Sequence, residues 1–342
     1  MELPTPTVLP TKTRAARLYG ARDLRVEELD VPPVGPDEVM VAVAAVGVCG
    51  SDMHYYAAGR NGQNVLRQPT VLDHEASGVV IAASATSGVQ TGTRVAVEPA
   101  VGCGVCPSCR SGRYNICPYG TCLGSPPTNG TMSDYIVVPA RAVHSLPAGI
   151  DTITGAMIEP LAVAVWAVQR AQVRIGQRVL ITGAGPIGIL VAQVARASVA
   201  TEIVMTDVND DRLAIATTFG VTRVINTARE ELDIADMDRV LECSAVPRRC
   251  GAQSRQSGPV AASPWWARRP PRSTAFRWPI CSATRSISSQ RSDTRTPTRL
   301  PSRWLPAVPW ISNESSLAVS SSMTRRRRSR PPSLTPVTSK SW

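Results

Sequence analysis

The chain has 342 residues, about twice the usual domain size, so two domains with separate hydrophobic cores are expected. Nine cysteines are odd in number, and four of them crowd between Cys103 and Cys117; this excludes a disulfide-stapled scaffold and points to metal-binding thiolates in a reducing compartment, the cytoplasm. The net charge of +11 is unevenly placed: residues 1–247 carry 19 basic and 24 acidic side chains, residues 248–342 carry 18 and 2, so the charge describes a tail and not the whole protein.

No apolar run approaches the roughly 18 residues that cross a bilayer. The opening MELPTPTVLP lacks the basic patch and apolar stretch of a secretory signal, so neither membrane nor export is expected. In chain order, the first chemistry-bearing segment is VGVCGSDMHYY, which holds Cys49, Ser51 and His54, followed by VLDHEASG with His74 and Glu75. Alone, Cys49 reads as a small core residue and His74 as a satisfied polar one. Together, a thiolate, an imidazole and a carboxylate can hold zinc and leave a fourth position open. A metal there acts as a Lewis acid that lowers the pKa of an alcohol and so favours hydride loss from the neighbouring carbon. Ser51 and His54 offer a hydroxyl and an imidazole on the same short segment as Cys49, the chemistry of a proton relay, although both could instead cap local turns.

Cys103, Cys106, Cys109 and Cys117 follow in CGVCPSCRSGRYNIC. Four thiolates so spaced can close a tetrahedral shell with no position left for water, which predicts a structural zinc that stiffens a loop. An iron–sulfur cluster could use four thiolates too, but the rest of the chain asks for zinc and a nicotinamide. Glu159, in MIEPLAVAVW, is a further acid just before an alanine-rich amphipathic helix and could enter the first metal shell or hold its water.

The stretch QRVLITGAGPIGILVAQVAR passes from a buried strand, Val179 to Thr182, into an apolar-periodic helix through Gly183, Gly185, Pro186, Ile187 and Gly188. A bare GxGxxG is weak, but here the glycines stand at a strand-to-helix turn where a pyrophosphate can rest on the helix N-terminus. The next strand, Glu202 to Thr206, ends in Asp207. Its carboxylate suits the adenosine ribose diol and repels a 2′-phosphate, which favours NAD over NADP, while nearby Arg212 faces the adenine or solvent and could soften that preference. A helix from Arg212 to Phe219, a strand at Val224 and Ile225, and a fourth strand from Asp238 to Cys243 complete the legible part.

After residue 247 the pattern stops. The last 95 residues hold 20 serines, 12 prolines, 17 arginines and six of the seven tryptophans, and few windows there keep a helix or strand period. A disordered basic arm ending in Arg325–Arg328 would bind phosphate backbones. The tryptophans, however, lack the spacing of a base-stacking platform, so nucleic-acid binding is not expected. The preferred explanation of this composition is a coding frame that has slipped.

In CGSDMHYY, HEASG, the four-cysteine lobe, GTMSDY, EPLAVAVWAVQRA and GAGPIG, in that order, the chain resembles the zinc-dependent medium-chain dehydrogenases, and among them the polyol branch of sorbitol and xylitol dehydrogenases. The resemblance covers roughly residues 15–246. It implies an α/β protein: a GroES-like β-rich catalytic domain over 1–165, then the first part of a Rossmann-type doubly wound parallel sheet over 166–247, followed by the aberrant tail over 248–342. It implies a catalytic zinc on Cys49, His74 and Glu75, with Glu159 beside its water, and a structural zinc on the four clustered cysteines. It also implies Ser51 and His54 as substrate and relay residues, NAD as cofactor, and a homo-oligomer. The expected reaction is NAD-dependent oxidation of a sugar alcohol to a ketose. Alternatives are a related alcohol- or threonine-type dehydrogenase, or an inactive zinc-binding remnant. Asp73 stands where the family has glycine beside a metal ligand, and Trp166 where polyol enzymes often carry histidine.

Overall fold

The computed structural model describes residues 8–234 and 236–244 and the backbone of Thr274–Arg277. Strands β1 (Lys12–Gly20) and β2 (Asp23–Asp30) form an antiparallel pair in front of β3 (Glu38–Val46). Helix α1 (Gly50–Ala58) follows β3, and the short hairpin β4 (Arg60–Asn61) and β5 (Asn64–Val65) leads to β6 (Thr70–Val71), which pairs with β1. Strands β7 (Ala76–Ala83) and β8 (Arg94–Val97) come next. The cysteine lobe lies between β9 (Ala100–Val101) and its antiparallel partner β10 (Thr121–Cys122), and contains the one-turn helix α2 (Pro107–Arg110). Strands β11 (Tyr135–Pro139) and β12 (Val143–Ser145) close an antiparallel sheet ordered β11-β3-β7-β8-β12.

The interior position of β3, between β11 and β7, explains its sequence, EVMVAVAAV, which is apolar on both faces. Successive strand residues point to opposite sides. Val39 and Val41 pack with Val80, Val95, Val97 and Val138, whereas Met40 and Ala42 pack with Ile81 and Val31 on the other side. Each fully buried valine contributes about 1.5–3 kcal/mol relative to an exposed one, so this strand anchors the domain at both faces.

Two helices join the halves. The side chain of Asp151 caps α3 (Thr152–Ala156) by accepting from the Thr154 N–H at 2.7 Å, and α4 (Ile158–Arg170) begins directly afterwards. The expected domain boundary at residue 165 falls inside α4, and Leu161, Ala164 and Val168 of this helix pack with the second core. That core surrounds a parallel sheet made of β13 (Arg178–Thr182), β14 (Glu202–Asp207), β15 (Arg223–Asn226), β16 (Arg239–Glu242) and β17 (Thr274–Arg277). Helices α5 (Pro186–Ala197) and α6 (Asp210–Thr218) cover one face. Val179 and Ile181 face them, while Leu180 faces Val204, Ile225 and Met237 on the other side, so β13 is buried throughout.

Among the described residues the strand order is β15-β14-β13-β16-β17, all parallel. The first four strands lie where the sequence puts them. The fifth comes from a stretch in which the sequence reads no strand; four residues paired in parallel carry too short a signal to stand out. The remainder of the basic tail lies outside the described residues. No helix among the described residues is long and apolar enough to cross a membrane.

Candidate active site

Strand register assembles the first metal constellation. The last residue of β3, Val46, pairs antiparallel with the first of β7, Ala76, and the Gly47 N–H donates to the Glu75 carbonyl at 2.8 Å. The chain leaving β3 towards Cys49 therefore runs beside the His74–Glu75 step entering β7. A Cβ on Gly47 would stand 2.9 Å from the Glu75 Cβ, so only glycine lets the glutamate lie there. One ligand atom from each of Cys49, His74 and Glu75 falls within 4.8 Å of the others.

Cys49 is the N-cap of α1, and Asp52, three residues on, accepts from its N–H at 2.9 Å, closing a capping box. The other oxygen of the Asp52 carboxylate accepts from the Asp73 N–H at 3.0 Å. Asp73 is fully buried with φ of +73°, a conformation that costs an L-residue about 1–2 kcal/mol. Its carboxylate accepts from the Glu75 N–H at 3.1 Å and from the Thr131 hydroxyl. The aspartate that stands in place of the family's glycine is thus a left-handed residue with a fully engaged side chain.

Burial governs the charges. It pushes the Glu75 carboxyl up to about 7, with Asp73 and Asp52 adding repulsion, and the Asp73 carboxyl up to about 6 despite the Thr131 bond. Burial works to lower the His74 imidazole, yet Cys49, Glu159 and Asp73 hold it at about 10. Glu159 sits in the first turn of α4 and so reaches His74 electrostatically. Its placement follows from Ser77 in β7, whose hydroxyl donates to the Thr152 carbonyl and ties α3, the element before α4, to the strand that starts beside Glu75. Ser51 is buried in the first turn of α1, and His54 is exposed one turn further along the same helix, three residues on and hence on the same side.

The four-cysteine lobe closes as its spacing predicts. One sulfur from each of Cys103, Cys106, Cys109 and Cys117 lies within 4.8 Å of the rest, with Cys106–Cys117 at 3.7 Å and Cys103–Cys109 at 4.0 Å. A tetrahedron of sulfurs about a zinc has edges of about 3.8 Å, so the donor set fits that ion. The Cys103 and Tyr119 N–H groups lower Cys117, while burial and the three neighbouring thiols push Cys109 up to about 12. A cation is what lets four adjacent thiols ionise together.

In the second domain Gly183, at φ of +93°, turns the chain out of β13, and Gly185 is the N-cap of α5 with Pro186 at its first position. Gly188 lies against the Gly183 carbonyl so closely that no Cβ fits between helix and strand, whereas a Cβ on Gly185 would meet nothing within 4 Å among the described residues. The space before the helix N-terminus is open, which is the cradle a pyrophosphate needs. Ile187 is half-buried and packs against the second core. Asp207 ends β14 and accepts from the N–H groups of Ala184, Val208 and Asn209 at 2.7–3.0 Å; these bonds outweigh its burial and keep its pKa below the usual carboxylate range, with Arg212 helping. Arg212 is exposed in the first turn of α6. The Thr182 hydroxyl, beside this turn, is buried and without a partner among the described residues.

Sequence reasoning missed Asp52, Thr131 and Ser77. Asp52 had a signal, an acid at the third position of a helix that starts after Cys49. The other two had none, because their partners lie far away in the chain.

A thiolate, imidazole and carboxylate set in one domain and a glycine turn open to a dinucleotide in the next define a zinc-binding, NAD(P)-dependent oxidoreductase. Comparison with known proteins agrees. Residues 35–148 match the alcohol dehydrogenase GroES-like domain, and residues 186–249 match the zinc-binding dehydrogenase domain. The sorbitol dehydrogenase of Bacillus subtilis (strain 168) is 38% identical over 236 residues, 68% of this chain and 67% of that protein. The crystal structure of L-idonate 5-dehydrogenase from Escherichia coli is similar, with a TM-score of 0.65 and 31% identity over 70% of this chain and 71% of that one. A short-chain alcohol dehydrogenase from E. coli CFT073, complexed with NADH, has a TM-score of 0.63 and 30% identity over 70% and 71%. The chain belongs to the zinc-dependent medium-chain alcohol and polyol dehydrogenases. Its matched stretch spans 61–67% of the length of the curated relatives.

Proposed function

We propose that the chain is built to oxidise a secondary hydroxyl of a sugar alcohol, of the sorbitol or xylitol type, to a ketose, with NAD accepting the hydride and one proton released. The observation that carries this reading is the convergence of Cys49, His74 and Glu75 within 4.8 Å, each presented by the paired ends of β3 and β7. These three side chains would hold the metal, with Glu159 beside them. Zinc bound there supplies Lewis-acid polarisation of the substrate oxygen. Ser51, buried next to Cys49, takes the substrate proton, and exposed His54 delivers it to water. The carboxylate of Glu75 in the ligand set, in keeping with the polyol branch, and the sorbitol dehydrogenase relative favour a polyol. Asp207, anionic at the end of β14, favours NAD over its phosphorylated form. Five thiols in the two ligand sets suit a reducing cytoplasm.

The test is metal content by mass spectrometry on the purified full chain beside NADH production from sorbitol and xylitol. Two zincs per chain and turnover are expected, and Cys49→Ser should lose one zinc and all turnover. Near-parent turnover in Cys49→Ser with both zincs retained would refute the assignment. Two zincs without turnover in the parent would establish instead the inactive zinc-binding remnant.

A further inference from the structure

Asp73 is the unusual residue of the site. It is an L-residue at φ of +73°, a conformation glycine adopts freely, and it is completely buried directly before His74 and Glu75. Such a position persists only where the surroundings hold it. Every polar group of Asp73 is engaged. Its N–H donates to the Asp52 carboxylate at 3.0 Å, and that same carboxylate receives the Cys49 N–H at 2.9 Å. Its carbonyl accepts from the Thr131 N–H at 3.0 Å. Its carboxylate accepts from the Glu75 N–H at 3.1 Å and from the Thr131 hydroxyl. Gly124 and Gly130 press on its backbone, where neither could carry a Cβ.

A glycine at 73 would remove the backbone strain and keep the two main-chain bonds, but it would leave the Glu75 N–H and the Thr131 hydroxyl without their acceptor. Asp73 therefore ties three segments that are separate in the chain: its N–H reaches the start of α1 at Asp52, and its side chain joins the His74–Glu75 step to the loop that carries Thr131 towards β11. We propose that Asp73 is a positioning residue for the Cys49–His74–Glu75 metal site, in which hydrogen bonds of its side chain hold the His74–Glu75 turn in place against the loop that carries Thr131. This rests on the zinc reading of that site. The role is geometric, and so an uncharged side chain of the same shape should fill it. Asparagine qualifies, since it tolerates left-handed backbone and its amide can accept from the Glu75 N–H and donate to the Thr131 oxygen.

The experiment measures zinc affinity by chelator competition on the full chain, with the four-cysteine zinc as an internal reference. Cobalt absorption spectra of the same proteins report the coordination geometry. Asp73→Gly is expected to weaken the Cys49–His74–Glu75 site about 10- to 100-fold, the usual effect of losing a group that orients a metal ligand, and to shift the cobalt spectrum. Asp73→Asn should stay within a few-fold of the parent on both measures. Thr131→Val, which removes only the hydroxyl, should weaken the site too and serves if Asp73→Gly does not fold. Zinc held as tightly in Asp73→Gly as in the parent would overturn the proposal and leave Asp73 as a merely tolerated strain. Equal losses in Asp73→Asn and Asp73→Gly would overturn it in favour of a charge effect. A parent chain that binds only the four-cysteine zinc would overturn the metal reading itself, and this assignment with it.

Discussion

Two glycines of the same turn should respond oppositely to the same methyl group. In Gly188→Ala the new Cβ meets the Gly183 carbonyl oxygen, part of the backbone between a buried helix and a buried strand, and neither can yield cheaply. Overpacking of this kind costs about 1–3 kcal/mol. For a domain pair of this size each kcal/mol moves the melting temperature by about 2–4 °C, giving a fall of about 2–12 °C. In Gly185→Ala the Cβ meets nothing within 4 Å among the described residues, and φ of −77° suits alanine. The poorer helix cap and the lower entropy of the unfolded chain, each worth about 0.5–1 kcal/mol, oppose one another, so stability should hardly change. The methyl would nevertheless occupy the open space where a pyrophosphate approaches the α5 N–H groups. Losing one hydrogen bond to a charged group costs about 1.5–3 kcal/mol, so NADH should bind about 10- to 150-fold more weakly. Thermal melts followed by circular dichroism, with NADH fluorescence titrations, separate the two effects. Parent-like NADH affinity in Gly185→Ala would show that the pyrophosphate does not sit at this helix end, and an unchanged melt of Gly188→Ala would refute the tight helix–strand contact.

Two further outcomes are expected. Cys106 is buried at the cap of α2 and touches Cys117, so Cys106→Ser should cost the chain one zinc and make residues 100–122 the first target of limited proteolysis; full metal content with an unchanged digest would contradict a structural zinc there. Zinc uptake at the Cys49–His74–Glu75 site should strengthen with pH. In the metal-free chain His74, at about 10, keeps its proton across pH 6–8, while Glu75, at about 7, loses its proton within that range. From His74 and Glu75 alone zinc must displace about two protons at pH 6 and about one at pH 8, so affinity should rise at least on the order of 10³-fold between them, and any proton released from the Cys49 thiol steepens the rise. A pH-independent affinity, read by chelator competition, would mean that these groups are not the ligands.

Local pattern determined much of this protein. The C-x2-C-x2-C-x7-C spacing closes within one loop, because fifteen residues with glycines can fold their own sulfurs around an ion without help from the rest of the chain. The glycine turn likewise needs only its strand, its helix and the acid that ends the next strand, and all three are legible from periodicity. The Rossmann-type half of the fold was legible from the same runs, since β13 must find a core on each side, whereas the GroES-like half was expected only from the family resemblance.

Tertiary structure alone decided the rest. Cys49 and His74–Glu75 meet because Val46 pairs with Ala76, and a register is a property of two strands together and not of either sequence. Thr131 meets Asp73, and Ser77 meets Thr152, across segments distant in the chain, so no local rule could nominate them. The sequence marks Asp73 as out of place; only the tertiary structure shows a left-handed residue whose N–H reaches α1 and whose carboxylate joins the His74–Glu75 turn to the Thr131 loop.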